Sequence, residues 1–277
     1  MIQMIATDMD GTLMDAQGEV DRERLSRILD QLDQREIPFV IATGNGYSRM
    51  AHVLGELKDR VTLVLANGAR ILEKGKLIRE CSWPEELVQE VLRYLEGREE
   101  EVHLVVSSLS GTYAKKGTEF PLLEQLMTPE LAVAFYRRMR FVDDLVQEHG
   151  EQVLKISVVT DTEKVEAFVQ ELREEFGERL LPAASGYGAI DILQPEVNKA
   201  TAIQFLEEHW GVDGGHLMAF GDSQNDVEML ELATYSYAME NADVHARQAA
   251  RYTAPSHQEG GVYEMIEAYL DGRLSFD

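Results

Sequence analysis

The sequence predicts an α/β protein, a doubly wound parallel-sheet core interrupted by an inserted α+β module. Three observations carry this. Short apolar runs at 4–7, 39–43 and 61–66 alternate with longer helical patterns in the first third of the chain. The same alternation returns near residue 189 and continues to the last helix. Between the two lies a stretch with its own mixture of helices and strands. Continuous apolar strands separated by helices are what a parallel sheet covered on both faces requires.

In order, residues 4–7 form a compact strand that ends at Asp8. Leu25, Ile28, Leu29 and Leu32 then recur at helical spacing in a charged segment, with Asp21 placed to cap its start and Pro38 to stop the pattern. A strand at 39–43, a helix at 48–57 and a strand at 61–66 follow. A hairpin pairs 70–73 with 76–79 around Lys74-Gly75. From Cys81 to Gly186, helices are predicted at 84–95, 128–139 and 162–176, and strands at 102–107 and 154–160. None of these strands ends in a cluster of reactive side chains. The core pattern resumes with a strand at 189–193, a helix at 199–209, a strand at 216–220, a helix at 226–232, a strand at 235–238 and a helix at 262–270. The expected division is 1–81 with 188–277 as the core, and 82–187 as the insert.

A length of 277 residues suits a core plus a smaller inserted domain, and a 44% hydrophobic share is enough to fill both. Lys and Arg total 26 against 50 Asp and Glu, a formal charge of -24. Such a surface repels polyanions, so nucleic acid and anionic membranes are not expected partners. An anionic small molecule needs local positive charge, from lysines, helix N-termini or a metal. Cys81 is the single cysteine, which excludes an intramolecular disulfide and a multi-cysteine zinc site and suits a reducing cytoplasm. The first eight residues lack the features of a signal peptide, and no apolar stretch approaches the roughly 20 residues of a membrane span. A cytoplasmic protein is expected.

Ligands of an open parallel sheet sit beyond the carboxyl ends of its strands. The first strand leads into Asp8-Met9-Asp10-Gly11-Thr12, the second into Thr43-Gly44-Asn45 and the third into Asn67-Gly68. The strand at 189–193 leads through Pro195 to Lys199, and the strand at 216–220 into Gly221-Asp222-Ser223-Gln224-Asn225-Asp226. Five strand ends thus offer carboxylates, amides, a hydroxyl and an ammonium at one sheet edge. Each type has a task in phosphoryl transfer. A carboxylate can attack phosphorus and form an acyl phosphate. A hard divalent cation on carboxylate oxygens cancels the anion–anion repulsion. An ammonium and a hydroxyl cover oxygens on which transition-state charge spreads. A second carboxylate two residues on can protonate the leaving oxygen and later activate water. The plainer alternatives are that Asp8 and Asp10 form a turn, that Asn225 and Asp226 cap a helix, and that Asn67-Gly68 is an ordinary turn.

The five motifs, in this order, resemble the haloacid dehalogenase superfamily of phosphatases, and specifically its Cof-type subfamily, whose members carry a large cap inserted after the third core strand. The resemblance spans both core halves. It implies a magnesium-dependent phosphomonoester hydrolase acting on small phosphorylated metabolites, sugar phosphates foremost, through a phospho-aspartyl intermediate. It implies Asp8 as nucleophile and Asp10 as general acid/base, Thr43 as a phosphate ligand, and Lys199 orienting Asp8 and offsetting charge. Gly44, Asn67 and Asn225 join Thr43 and Lys199 around the phosphate. Mg2+ falls to Asp8, Asp222 and the backbone carbonyl of Asp10, with Asp226 counted among the metal-site acids and, with Asn225, supporting that loop. The 82–187 insert becomes the cap that selects substrate.

One departure stands out. Many relatives follow the Thr-Gly pair with Arg, and this chain has Asn45, which cannot make a charged bidentate contact. Arg49, one turn later, is placed to compensate. The loop 195–198 adds Glu196 near the lysine. In the insert, His103, Tyr113, Lys115, Lys116, Lys155 and Tyr187 are candidates for substrate contact, each against a plainer reading as a surface or packing residue. His52, His209 and Trp210 read as ordinary helix residues, and Met127, Met139 and Met218 as core filling. Gly44-Asn45-Gly46 opens a helix after a strand as a dinucleotide fingerprint does, but the third glycine and the ribose-binding acid are missing. A phospho-aspartate signalling receiver would normally be shorter and uninterrupted. A sugar phosphomutase remains the nearest enzymatic alternative.

Overall fold

The computed structural model describes residues 2–98, 101–120, 129–185, 188–212 and 214–274. Among them the strands form two sheets, in two compact units: Met1–Glu80 with Val197–Asp277, and Cys81–Glu196. No helix among the described residues is long and apolar enough to cross a membrane.

In chain order the strands are β1 (Met4–Thr7), β2 (Phe39–Ala42), β3 (Thr62–Leu65), β4 (Arg70–Glu73) and β5 (Lys76–Glu80). Then come β6 (His103–Ser108), β7 (Gly111–Lys115), β8 (Met139–Val142), β9 (Val153–Val159), β10 (Leu181–Ala184) and β11 (Ala189–Leu193). The last are β12 (Leu217–Gly221), β13 (Tyr235–Met239) and β14 (Tyr252–Ala254).

The first unit holds an eight-stranded sheet in the order β14-β13-β12-β1-β2-β3-β4-β5. It is parallel from β14 to β3, and the hairpin β4–β5 closes one edge antiparallel. Every residue of β1, β2 and β3 is buried, as continuous apolar strands between helical layers must be. The helix Arg22–Gln34 buries Leu25, Ile28, Leu29 and Leu32, and the Asp21 carboxylate accepts from Arg24 N–H at its start. The expected helix at 48–57 is Tyr47–Leu54 followed by a tighter turn, because Gly55 leaves the helix at φ +59°. The short helix Val244–Ala249 and the edge strand β14 had no strong periodic signal.

The chain runs outward from β1 through β2 and β3 on one side, and from β12 through β13 and β14 on the other. The direction of winding therefore reverses between β1 and β12. A crevice opens at such a reversal, beyond the carboxyl ends of the two strands. Asp8 follows β1, and Asp222 follows β12.

The second unit holds a six-stranded sheet in the order β10-β11-β9-β6-β7-β8. Helices Glu85–Leu95 and Val165–Phe176 cover it with Val88, Val91, Leu92, Phe168 and Leu172 against Val106, Ile156, Val158, Ile190 and Ile192. Here one expectation fails. The strand at 189–193 is not in the core sheet; it pairs antiparallel with β9 and β10. Ile190 and Ile192 enter the second core on one face, while Asp191 between them lies on the other and accepts from Ser157 Oγ at 2.8 Å. That alternation fits an antiparallel strand with two unlike faces, one apolar and one carrying a buried, partnered acid, rather than a strand apolar on both. The unit accordingly runs to Glu196 rather than ending at 187. Met139 belongs to β8 instead of closing a helix, and Met218 is fully buried as expected. Met127, Thr128 and Tyr187 lie outside the described residues.

Candidate active site

Asp8 leaves β1 with its N–H on Phe220 O at 3.0 Å, which ties the two strands at the winding reversal. The chain then turns sharply through Met9–Leu13, with Gly11 at φ +75°. A Cβ at Gly11 would lie 2.5 Å from Asp222 Oδ2, so both conformation and space require glycine. Thr12 Oγ1 donates to Asp222 Oδ1 at 2.9 Å, and Ser223 Oγ to Asp222 Oδ2 at 3.1 Å.

Lys199 comes to this point from another direction. It is the first residue of the helix Lys199–Trp210, behind an Asn198 cap whose side chain accepts from Thr201 N–H at 2.8 Å. Lys199 Nζ donates to Asp8 Oδ1 and to Asp226 Oδ1, each at 2.6 Å. Asp226 Oδ2 accepts from the backbone N–H groups of Asp222 and Ser223 at 3.0 and 3.1 Å. Asp226 therefore shapes the loop that carries Asp222 and anchors the ammonium at the same time.

Carboxylate oxygens of Asp8, Asp222 and Asp226 all lie within 4.8 Å of one another. Burial pushes the Asp8 carboxyl well above its usual range; Lys199 opposes the rise, and Asp226, Asp222 and Asp10 add to it. Burial, then the charge of Asp226, pushes Asp222 up to about 7, against the hydrogen bonds from Thr12 and Ser223. Burial disfavours the Lys199 ammonium, yet Asp226 and Asp8 hold it above its ordinary range. One ammonium does not balance this many acids. The all-oxygen donor set suits a hard divalent cation, which would supply the missing positive charge.

Thr43 is buried after β2, with its N–H on Val64 O at 2.9 Å and its O accepting from Asn67 N–H at 3.0 Å. Its Oγ1 accepts from Asn45 N–H at 3.1 Å and Asn45 Nδ2 at 2.9 Å. Asn45 Nδ2 also reaches Asp10 Oδ2 at 2.5 Å, and Arg49 bonds Asp10 Oδ1 and Asn45 Oδ1 at 2.5 and 3.1 Å. Asn67 is fully buried in a left-handed conformation, φ 55°, and its Oδ1 accepts from Asn225 Nδ2 at 3.1 Å. At Gly68, φ +108°, a Cβ would meet Asn198 O at 2.3 Å, so the third strand's turn packs directly on the helix cap ahead of Lys199.

The first unit thus brings together Asp8, Asp10, Thr43, Lys199, Asp222 and Asp226, and links Asn67 to Asn225. Sequence reasoning overlooked Thr12 and Ser223 as partners of Asp222, and Asn241, whose Nδ2 donates to Gly11 O at 2.8 Å. Asn241 follows β13, the strand next to β12, so its position is a consequence of topology that no local motif announces.

In the second unit, Lys155 pairs with Asp191 at 2.9 Å, and Lys116 with Asp143 at 2.6 Å in an exposed position. Tyr113 is buried, its hydroxyl shared with Ser110 and Arg140, and His103 meets Phe120 edge-on. Lys115 closes β7. Trp210 donates to Glu73, and His209 stacks on Phe205, both packing roles.

Fold and site define a class: phosphatases built on a doubly wound sheet whose acids gather at the winding reversal. The model of the haloacid dehalogenase-like hydrolases matches residues 5–266, and the chain belongs to that family, as a Cof-type phosphatase. It is 30% identical over 277 residues to the 5-amino-6-(5-phospho-D-ribitylamino)uracil phosphatase YbjI of Escherichia coli K12, covering 100% of this chain and 99% of that one. An HMP-PP phosphatase of Serratia proteamaculans is 27% identical over 245 residues, 87% of this chain and 85% of the relative. A crystal structure from Streptococcus mutans UA159 superposes with a TM-score of 0.88 at 32% identity, covering 98% of this chain and 100% of that one.

Proposed function

We propose that this phosphatase hydrolyses phosphomonoesters of small metabolites, sugar and polyol phosphates foremost, through a phospho-aspartyl intermediate on Asp8, with Mg2+ as its cation. The observation that carries the reading is the buried Lys199 ammonium held between Asp8 and Asp226. It fixes one Asp8 oxygen and leaves the other to attack.

In the first step that oxygen bonds to phosphorus, the ester P–O bond breaks, and Asp10 gives its proton to the departing oxygen. In the second, water attacks the phosphorus and yields a proton to Asp10; the acyl-phosphate P–O bond breaks, returning Asp8 and releasing inorganic phosphate. Thr43 Oγ1 already accepts two hydrogen bonds from Asn45, so its own hydrogen can be donated to a phosphate oxygen. Lys199 offsets charge on the same group. Gly44 and the Asn67–Asn225 pair shape the phosphate pocket from neighbouring strand ends. Mg2+ would be held by Asp8, Asp222 and the Asp10 backbone carbonyl, with Asp226 closing the cluster, and supplies charge neutralisation between two anions.

The Cys81–Glu196 unit is the substrate-specificity cap in this reading. The phosphoribityl group in the name of the Escherichia coli relative is a polyol phosphate, which supports that substrate class. A single cysteine supports a cytoplasmic location.

The test is inorganic phosphate release from an aryl phosphate and from a panel of sugar, polyol and nucleotide monophosphates, with Mg2+ and with chelator. Magnesium-dependent release, strongest on one polyol-like group of substrates, is expected. An isomerised sugar phosphate without free phosphate would overturn the hydrolase reading in favour of a phosphomutase.

A further inference from the structure

We infer that Arg49, acting with Asn45, is the positioning residue for proton transfer at Asp10. The inference rests on the reading of Asp10 as general acid/base and extends it to Asn45 and Arg49, to which the family resemblance gives no part in proton transfer.

Asp10 sits in the turn after β1, and its side chain is 37% exposed, as is that of Arg49. An aspartate that open is free to sample several rotamers, yet a general acid must present one atom within hydrogen-bond reach of its target. Both Asp10 oxygens are held. Arg49 takes Oδ1 at 2.5 Å and Asn45 Nδ2 takes Oδ2 at 2.5 Å. The two donors are themselves joined, since Arg49 also donates to Asn45 Oδ1 at 3.1 Å. Asn45 is in turn tied to Thr43 Oγ1 at 2.9 Å. Arg49, Asn45 and the Asp10 carboxylate thus close a ring, pinned to the buried Thr43.

The ring has a simple origin. Gly46 starts the helix Tyr47–Leu54, and position 49 lies about one turn beyond position 45. A planar guanidinium can span the amide oxygen and the carboxylate together, which a lysine ammonium does less well. Each carboxylate oxygen has about two lone-pair sites. The ring occupies one on each, so a proton can still arrive and leave at either oxygen without breaking it. Asn45 is therefore a spacer and Arg49 the charged arm.

The test is steady-state kinetics of Arg49→Ala, Arg49→Lys, Asn45→Ala, the Asn45→Ala/Arg49→Ala double variant and Asp10→Asn. The substrates are monophosphates of graded leaving-group basicity, from p-nitrophenyl to alkyl. A poor leaving group needs the proton most. Arg49→Ala is expected to lose about 10²-fold in kcat on alkyl phosphates, much less on p-nitrophenyl phosphate, with KM changed by no more than about twofold. Arg49→Lys should recover part of the loss, and the double variant should be little worse than the poorer single one, as one shared device requires. A loss equal on all substrates and carried by KM would overturn the inference, because Arg49 would then be binding the phosphate. Asp10→Asn reports separately: if its loss does not grow with leaving-group basicity, the acid/base reading of Asp10 itself fails.

Discussion

Lys199 and Asp226 form a buried ion pair at 2.6 Å, and the same ammonium reaches Asp8 at an equal distance. Asp226 spends its other oxygen on the backbone of the Asp222 loop. One lysine therefore couples the ends of β1 and β12, and its removal should be felt in both stability and chemistry.

Lys199→Met is expected to lower stability by about 3–5 kcal/mol, since it leaves buried carboxylates without their partner. Turnover should fall by about 10²–10³-fold, the usual loss on removing one preorganised donor. Urea unfolding of the metal-free protein separates the first effect from the second. Unchanged stability would mean that the pair is not formed.

Asn198→Ala removes the cap directly ahead of that lysine. Loss of a helix cap costs about 1 kcal/mol. Activity should fall further than so small a destabilisation explains, because the first turn of the helix sets where Lys199 begins. Comparing kcat at a temperature where both proteins are fully folded checks this.

Gly11→Ala drives a methyl into Asp222 Oδ2 at a residue with φ +75°. The Asp222 carboxylate must then move away from Thr12 Oγ1. The variant should need a higher Mg2+ concentration for half-maximal activity, with a lower ceiling. A titration indistinguishable from that of the parent would show that Asp222 does not serve the cation.

Much of this was legible in sequence because four of the five motifs follow continuous apolar strands of one parallel sheet, whose ends lie at the same edge. Other features were not. The strand Ala189–Leu193 was read into the core because an apolar run stands just ahead of Lys199, yet its single Asp191, buried against Ser157 and Lys155, marks one polar and one apolar face. β7, β8 and β10 escaped notice: the first is rich in small and polar residues, the second is four residues long, and the third carries Pro182 at a sheet edge. The Arg49–Asp10 contact joins a helix to a turn 39 positions away. Spacing placed Arg49 beside Asn45, but only the packed sheet places both beside Asp10.

Metal binding should be linked to pH. Burial raises Asp222 from an ordinary 3.8 to about 7, and Asp8 shifts in the same direction. Between about pH 4 and 7 the metal-free folded state therefore keeps protons that the unfolded chain has released, and this contribution to stability fades as pH rises. A cation binds the ionised form instead. The rise in Tm on adding Mg2+ should grow from pH 5 to pH 7 and level off above. A rise independent of pH would separate the cation from these carboxylates.

In the proposed mechanism Asp8 carries the phosphoryl group. The direct measurement is rapid acid quenching during turnover of a good substrate, followed by mass spectrometry of the peptide containing Asp8 and Asp10. One phosphoryl group is expected on Asp8, removed by hydroxylamine, absent from Asp8→Asn, and longer-lived in Asp10→Asn. Full turnover by Asp8→Asn, or a phosphoryl group on another residue, would contradict it.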